Sequence, residues 1–141
     1  MWKIIVSLAP FIAAQVANGP GKEKWANGAS YEGSYRNNKR NGEGTMTYAD
    51  QSVFTGTWLN DDRVRGTFVS GGSKYEPVGQ LNNFKNDKMT GKAKITWANG
   101  SSYVGEWLNG RRNGIGKVTF PDKSSFEGAF VDGKARWDRV S

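Results

Sequence analysis

The sequence predicts an all-β protein, an elongated antiparallel sheet of stacked β-hairpins. The run YVGEW at residues 103–107 returns as FEGAF at 126–130, and both YEGSY at 31–35 and FTGTW at 54–58 precede it, with a step of 23 residues within each pair. Aromatic residues make up 13% of the chain and 19 residues are glycine, which is typical of short strands and tight turns. A fixed period of this length indicates an array of small stacked units.

Each unit is expected to fold as a two-stranded hairpin. Tyr103, Gly105 and Trp107 share one face of the first strand because alternate residues of a strand point the same way. Gly116 and Phe120 are expected to share that face on the return strand. The glycines leave room for aromatic rings to lie over bare backbone. Because a single hairpin is marginal in water, neighbouring units must stack to bury their rings.

Residues 1–17 form a hydrophobic segment before the array. One lysine is followed by an apolar run from Ile4 to Ala14 and then by small residues, which is typical of a secretory signal peptide cleaved near Ala17. The alternatives are a membrane anchor, helical or not, and a hydrophobic cap over the first open edge of the sheet. The protein is therefore expected to be exported (secreted or periplasmic) or membrane-associated, or else intracellular with the segment as a cap.

The array is predicted to span residues 18–141 in about five units. A half unit at 18–30 precedes a regular unit one at 31–53. Unit four, at 103–125, is the most regular, and unit five, at 126–141, stops short as a terminal cap does.

Turn signals separate the strands of the array. The dipeptide Asn27-Gly28 predicts a type I′ hairpin turn, which needs positive φ at both central residues. The link at 108–113 is also rich in turn residues and is expected to form a hairpin tip.

Unit two opens at Phe54 and unit three at Tyr75, and unit three is irregular. Pro77 predicts a β-bulge because proline cannot donate a hydrogen bond to a neighbouring strand. Residues 82–89 predict a longer hairpin tip than in the other units. Such a tip is where specific binding is expected in a uniform array, and variation in a tolerant surface loop is the alternative.

Composition limits the chemistry of this chain. It has no cysteine and no histidine, which excludes disulfides, zinc–thiolate sites and the usual catalytic triads. No catalytic, cofactor-binding or metal-binding residues are predicted, and the protein is not expected to be an enzyme. The formal charge of +7 favours an acidic partner.

The repeated motif resembles a known family. The pattern aromatic-x-Gly-x-aromatic-x-x-Gly at 103–110, followed by Gly-x-Gly at 114–116, is similar to the MORN (membrane occupation and recognition nexus) repeat, and the similarity extends over 18–141. In unit three, Tyr75 or Pro77 takes the place of the opening aromatic residue, and Ala93 replaces a glycine of the Gly-x-Gly pair. The resemblance implies an antiparallel sheet of hairpins that acts as a scaffold or protein-binding array, with binding to anionic phospholipids in some members.

Basic residues are predicted at every hairpin tip. Successive tips are expected about 10 Å apart, so their side chains would form a cationic ridge along one edge of the sheet. The ridge could bind an anionic membrane surface, or it could keep the sheet soluble and prevent edge-to-edge pairing. The candidate residues are Lys39, Arg40, Arg63, Arg65, Lys85, Lys88, Arg111 and Arg112.

A second candidate surface is the aromatic face of the sheet. If part of this face is open, its rings can anchor a helix or strand of a partner protein, whereas full packing would make them core. The candidate residues are Tyr35, Trp58, Trp107, Phe120 and Phe130.

These observations predict a non-catalytic repeat scaffold that binds a protein partner through its sheet face or hairpin tips. The alternatives are peripheral binding to anionic phospholipid membranes and a structural role in a larger assembly. A homodimer through the open ends of the sheet is compatible with the pattern. Nucleic acid is not an expected ligand, because the arginines are predicted at the tips and not among the rings where bases would stack.

Overall fold

The structure is a computed structural model, and it describes residues 3–6 and 17–135. This part of the chain contains strands and turns and no helix. The strands are β1 Lys3–Val6, β2 Gly19–Lys24, β3 Ser30–Arg36, β4 Lys39–Thr47, β5 Val53–Leu59, β6 Asp62–Ser70, β7 Ser73–Pro77, β8 Phe84–Lys85, β9 Lys88–Met89, β10 Gly91–Thr96, β11 Ser102–Leu108, β12 Arg111–Thr119, β13 Ser125–Val131 and β14 Lys134–Ala135.

The strands follow one another across a single open sheet. Twelve of them pair in chain order, except that β7 pairs directly with β10 and the hairpin β8–β9 forms a small separate sheet. From β2 onward all pairs are antiparallel, which confirms the predicted sheet of stacked hairpins.

One face of the sheet carries the core, and glycines make room for it as predicted. The first ring of several units lies over a glycine of the neighbouring strand: a Cβ added at Gly44 would lie 2.0 Å from the Tyr31 hydroxyl, and one at Gly116 would lie 2.2 Å from a carbon of the Tyr103 ring. The two tyrosines are 1% and 0% exposed. We call this side of the sheet the ring face.

The rings of the ring face meet edge to face across units. Tyr31 lies 5.5 Å from Trp58, which lies 5.3 Å from Phe54, and Phe54 lies 5.3 Å from Phe84, all nearly perpendicular. Such pairs contribute about 0.5–1.5 kcal/mol each beyond the area that they bury. The stacking of units therefore supplies a large part of the stability, as the repeat pattern predicts.

Each unit turns through a two-residue tip at one edge of the sheet. Both residues have positive φ, as a type I′ turn requires, and asparagine, aspartate and glycine tolerate this conformation. The tip residues are 37–38, 60–61, 86–87, 109–110 and 132–133. Backbone hydrogen bonds join four of these tips to the preceding repeat, for example from the Gly110 N–H to the Met89 carbonyl at 2.8 Å. The tip at 86–87 is joined instead by hydrogen bonds from Arg63 to Asp87.

The turn at Asn27-Gly28, at the opposite edge, is longer than predicted, whereas Gly71-Gly72 at that edge forms a two-residue turn with both φ values positive. At Asn27-Gly28 only Gly28 has positive φ, so the type I′ prediction there is wrong. Instead the Trp25 N–H donates to the Ala29 carbonyl at 2.9 Å, and the Asn27 side chain accepts a hydrogen bond from the Ala29 N–H. The side-chain amide thus closes an Asx-type turn within a wider loop.

Unit three corrects two predictions. Its tip, Asn86-Asp87, is two residues long like every other tip, so residues 82–89 do not form a longer one. The five extra residues lie earlier in the chain, within 78–83, between the two ring-face residues Tyr75 and Phe84. These two rings stand nine positions apart, whereas Tyr103 and Trp107 stand four apart. The bulge predicted at Pro77 is also absent, because β7 simply ends there in register with Ala93.

Most of the predicted N-terminal segment lies outside the described residues. The part that is described, β1, is a strand and not a helix, and it runs parallel to β2 with Lys3 opposite Gly21 and Val6 opposite Lys24. No helix in the described part of the chain is long and apolar enough to cross a membrane.

Candidate functional site

Three arginines lie on the ring face, and each covers a group of three or four rings. Cationic groups above aromatic rings are attracted by the negative face of the ring. Arg40 lies over Trp25, Tyr31 and Trp58 at 5.9, 5.9 and 4.9 Å; Arg63 lies over Tyr48, Phe54, Phe68 and Phe84 at 5.9, 5.7, 6.0 and 4.8 Å; Arg112 lies over Trp97, Tyr103 and Phe130 at 5.7, 5.7 and 5.2 Å.

The tip of the following unit fixes each arginine in place. The Nε atom of Arg40 lies 3.1 Å from an oxygen of Asp61, and that of Arg63 lies 2.8 Å from an oxygen of Asp87. Arg112 donates a hydrogen bond to the Gly133 carbonyl at 2.6 Å. Because an anchored guanidinium stays over its rings, these three side chains are parts of the packed ring face.

The arginine position follows the repeat, and two units lack the arginine. It comes fifteen residues after the aromatic residue of the preceding turn, at Trp25, Tyr48 and Trp97. In unit three Met89, which is 8% exposed, stands at this position, 23 residues before Arg112. In unit five the position is Ala135, fifteen residues after Phe120.

Alanine at position 135 leaves Phe120 open on the ring face. Phe120 is 41% exposed, whereas the equivalent Trp25, Tyr48 and Trp97 are half-buried and pack against the core. No arginine among the described residues lies over Phe120. The ring face therefore has an open apolar end at its C-terminal side.

Two adjoining clefts surround Phe120. One has a volume of about 620 Å³, the other about 200 Å³, and both are lined by Val118 and Phe120. Asn99, Ser73 and Ser101 add polar atoms at the rim of the larger one. We use the name Phe120 cleft for the apolar surface formed by Trp97, Val118, Phe120, Pro121, Phe126 and Ala135.

The five residues of the predicted aromatic face have two different environments. Four are core: Tyr35, Trp58, Trp107 and Phe130 are only 2–7% exposed. Phe120 is not on a strand, because β12 ends at Thr119 and Phe120 begins the next turn. The structure thus separates Phe120 from the other four.

The eight predicted tip residues also divide. Arg40, Arg63 and Arg112 cover rings, and Arg65 donates hydrogen bonds to the carbonyls of Gly79 and Leu81. The four that point into solvent are Lys39, Lys85, Lys88 and Arg111. The premise that arginines stay at the tips, away from the rings, is therefore wrong for three of them.

The sequence contained a signal for these covering arginines. Arg40, Arg63 and Arg112 keep their identity at one repeat position, whereas the preceding position varies from Lys39 through Asp62 to Arg111. A basic residue that recurs in step with the rings indicates packing, and one that alternates with aspartate indicates solvent exposure.

The buried tyrosines of the ring face have raised pKa values. Burial raises the pKa of Tyr31 and of Tyr103 to about 12. At the opposite edge, a hydrogen bond from Ser52 lowers the pKa of Asp50, and one from Ser124 lowers that of Asp122. Within residues 3–6 and 17–135, no group of three acidic residues could hold a metal ion.

The chain was compared with known proteins. The model of the MORN repeat family matches residues 16–30, 31–53, 83–102 and 103–125. The third match begins next to Phe84. Phe84 is buried and stands 23 residues before Trp107, so it is the second ring-face residue of unit three. No curated protein matches the chain.

Proposed function

The chain belongs to the MORN repeat family, a family of repeat scaffolds that bind proteins or membranes, and from this premise we propose that it is a non-catalytic scaffold that binds a protein partner at the Phe120 cleft. One observation carries the proposal. Phe120 is 41% exposed on a face where the equivalent rings are covered by arginines.

The chemistry of the cleft indicates what kind of segment it would hold. Its lining is apolar and aromatic, and Val118 and Phe120 form a surface shared by both of its parts. Large exposed rings in a cleft are the usual anchors of protein interfaces. We therefore propose a partner segment that inserts apolar side chains beside Phe120. Its polar groups would lie next to Ser73 and Asn99.

Two variants test this proposal by different routes. Phe120→Ser removes the anchor, and Ala135→Arg places a guanidinium where the other units carry one, so that the ring is covered. Both variants are expected to weaken partner binding about tenfold or more, as the loss of a central interface residue does. Val69→Ser is the matched control, because Val69 is 42% exposed and lies on the opposite face of the sheet.

The measurement is affinity purification from the native source with all four proteins, followed by quantitative mass spectrometry. Proteins retained by the wild type and by Val69→Ser, and lost with both other variants, support the proposal. Equal retention by all four folded proteins contradicts it. Ala135→Arg keeps Phe120 in place, so it remains informative if Phe120→Ser fails to fold.

Membrane binding through the tips has less support. Of the eight basic residues predicted for the cationic ridge, four are used inside the fold. Asp62 also stands at the repeat position of Lys39 and Arg111 and interrupts the exposed ridge. Sedimentation with phosphatidylserine vesicles at two salt concentrations tests this alternative, because binding by exposed lysines weakens as salt rises.

A further inference from the structure

We propose a second docking surface on the face opposite the rings, which binds an acidic protein segment that carries an aliphatic side chain. The surface is formed by the insertion of unit three and the tip of unit four. It consists of Leu81, Lys85, Lys88, Lys92, Leu108 and Arg111, and we call it the insertion patch.

The insertion is held firmly by the rest of the sheet. Asn83 is fully buried, and its side-chain amide bonds to both the N–H and the carbonyl of Gly66 at 3.0 Å. Arg65 donates hydrogen bonds to the carbonyls of Gly79 and Leu81 from the other side. These contacts fix the backbone of 78–83, so that the surface it presents is pre-organised for binding.

This fixed loop exposes a large apolar side chain. Leu81 is 64% exposed, and Leu108 on β11 is 50% exposed. Both line a groove of about 600 Å³ whose other lining residues include Lys92, Glu106 and Trp107. Because the two exposed leucines share one groove, they form a continuous apolar patch, and such patches mark contact surfaces.

Basic side chains surround the two leucines. On the hairpin β8–β9, Phe84 and Met89 are buried against the ring side, so Lys85 and Lys88 point to the opposite face. Arg111 stands directly opposite Leu108 in the register of β11 and β12. Hydrogen bonds from the tip of unit four to Met89 and Thr90 bring these two hairpins together.

Four basic side chains and one carboxylate belong to the insertion patch and its groove. Asp87 pairs with Arg63, whereas Glu106 lines the groove, stands opposite Lys92 in the register of β10 and β11 and accepts a hydrogen bond from the Ile115 N–H at 3.1 Å. No ion pair in the described part of the chain involves Lys85, Lys88, Lys92 or Arg111. The four positive charges outnumber the single charge of Glu106, and an acidic segment complements the excess.

Its shape favours a protein segment over a membrane surface. Lys92 lines the groove and Arg111 stands opposite Leu108, while the other two bases lie on the adjoining hairpin β8–β9, and Asp62 separates all four from Lys39. A flat bilayer would contact the whole row of tips, whereas a short acidic segment with one aliphatic anchor fills the groove and reaches all four bases.

Selection from a displayed library of random 12-residue peptides against the full chain tests the inference. Enriched peptides are expected to be acidic with an aliphatic residue, and Leu81→Ser should weaken their binding about tenfold, as should the double variant Lys85→Gln, Lys88→Gln. Leu59→Ser should leave binding unchanged. Leu59 is the matched control because it occupies the repeat position of Leu108 and is 54% exposed, but faces Asp62.

The results also separate this inference from the proposed function. Phe120→Ser should not affect these peptides, since Phe120 lies on the ring side. Enriched peptides that lack acidic residues, or that bind Leu81→Ser as well as the wild type, would overturn the inference. Binding of phosphatidylserine vesicles that depends on Lys85 and Lys88 but not on Leu81 would overturn it in favour of a membrane. Leu108→Ser replaces Leu81→Ser if that variant does not fold.

Discussion

Unit four and unit five carry rings at the same repeat positions of their first strands but end in different surfaces. In unit four, Arg112 covers Trp97 and Tyr103 and completes the core. In unit five, Ala135 stands at the arginine position, and Phe120 is exposed. The difference teaches that one long side chain for each unit decides whether the ring face is covered or exposed.

The two units differ in a second respect, the room around their glycines. A Cβ at Gly105 would lie 2.5 Å from the Gly116 backbone, whereas one at Gly128, the same repeat position, would first meet the Phe126 ring at 2.7 Å. A strand backbone cannot move away without breaking its ladder, but a half-buried ring can turn. The interior unit is therefore expected to be much less tolerant than the terminal one.

The largest expected effect follows from this contrast. Gly105→Ala should lower the free energy of unfolding by about 3 kcal/mol because it forces two strands apart, and Gly128→Ala by about 1 kcal/mol. Urea denaturation of both variants measures the difference. Gly110→Asn is the control and should be nearly neutral, because Asn38 adopts positive φ at the equivalent tip position. Equal losses at Gly105 and Gly128 would contradict the contrast.

The second effect distinguishes Tyr103 of unit four from Phe126 of unit five. The pKa of Tyr103 is raised to about 12 by burial, while a tyrosine in the unfolded chain ionises near 10. Between these pH values the unfolded state has lost the proton that the folded state keeps, so stability falls as pH rises. The slope is up to about 1.4 kcal/mol per pH unit for this residue, and below pH 10 it vanishes.

Replacing Tyr103 by the residue of unit five isolates that contribution. Urea denaturation between pH 8 and 11.5 should show a shallower loss of stability for Tyr103→Phe than for the wild type. The comparison cancels the contribution of Tyr31, whose pKa is raised in the same direction. If the two slopes are the same, the Tyr103 hydroxyl does not control stability at high pH.

The smallest effect comes from removing the covering arginines. Met89 shows that methionine fits this position, so Arg63→Met and Arg112→Met should both fold. Arg63→Met is expected to cost about 2 kcal/mol, because an anchored ion pair is lost with the ring contacts, and Arg112→Met about 1 kcal/mol. Thermal unfolding measures both. If Arg112→Met loses more stability than Arg63→Met, the ion pair between Arg63 and Asp87 contributes little.

The sequence predicted the hairpins because their signals are local. Alternation places Tyr31 and Tyr35 on one face of a strand, and Gly44 on the neighbouring strand gives the Tyr31 ring its space. The place of the unit three insertion was not predicted, since Gly79 imitates the repeat glycine. In the structure Phe84 carries the second ring, and buried Asn83 bonds to Gly66 of the preceding hairpin.

By itself the sequence determined the period, the strand alternation and the rings that face one another. Only the tertiary structure decided where the long basic side chains go, and hence which surface of this MORN repeat protein is open. The reason is physical: the arginine side chain has several rotatable bonds and can point to water or to a ring with nearly equal ease. For Arg40 the choice depends on Trp58 and Asp61, which belong to the next unit and lie within reach only after the units have stacked.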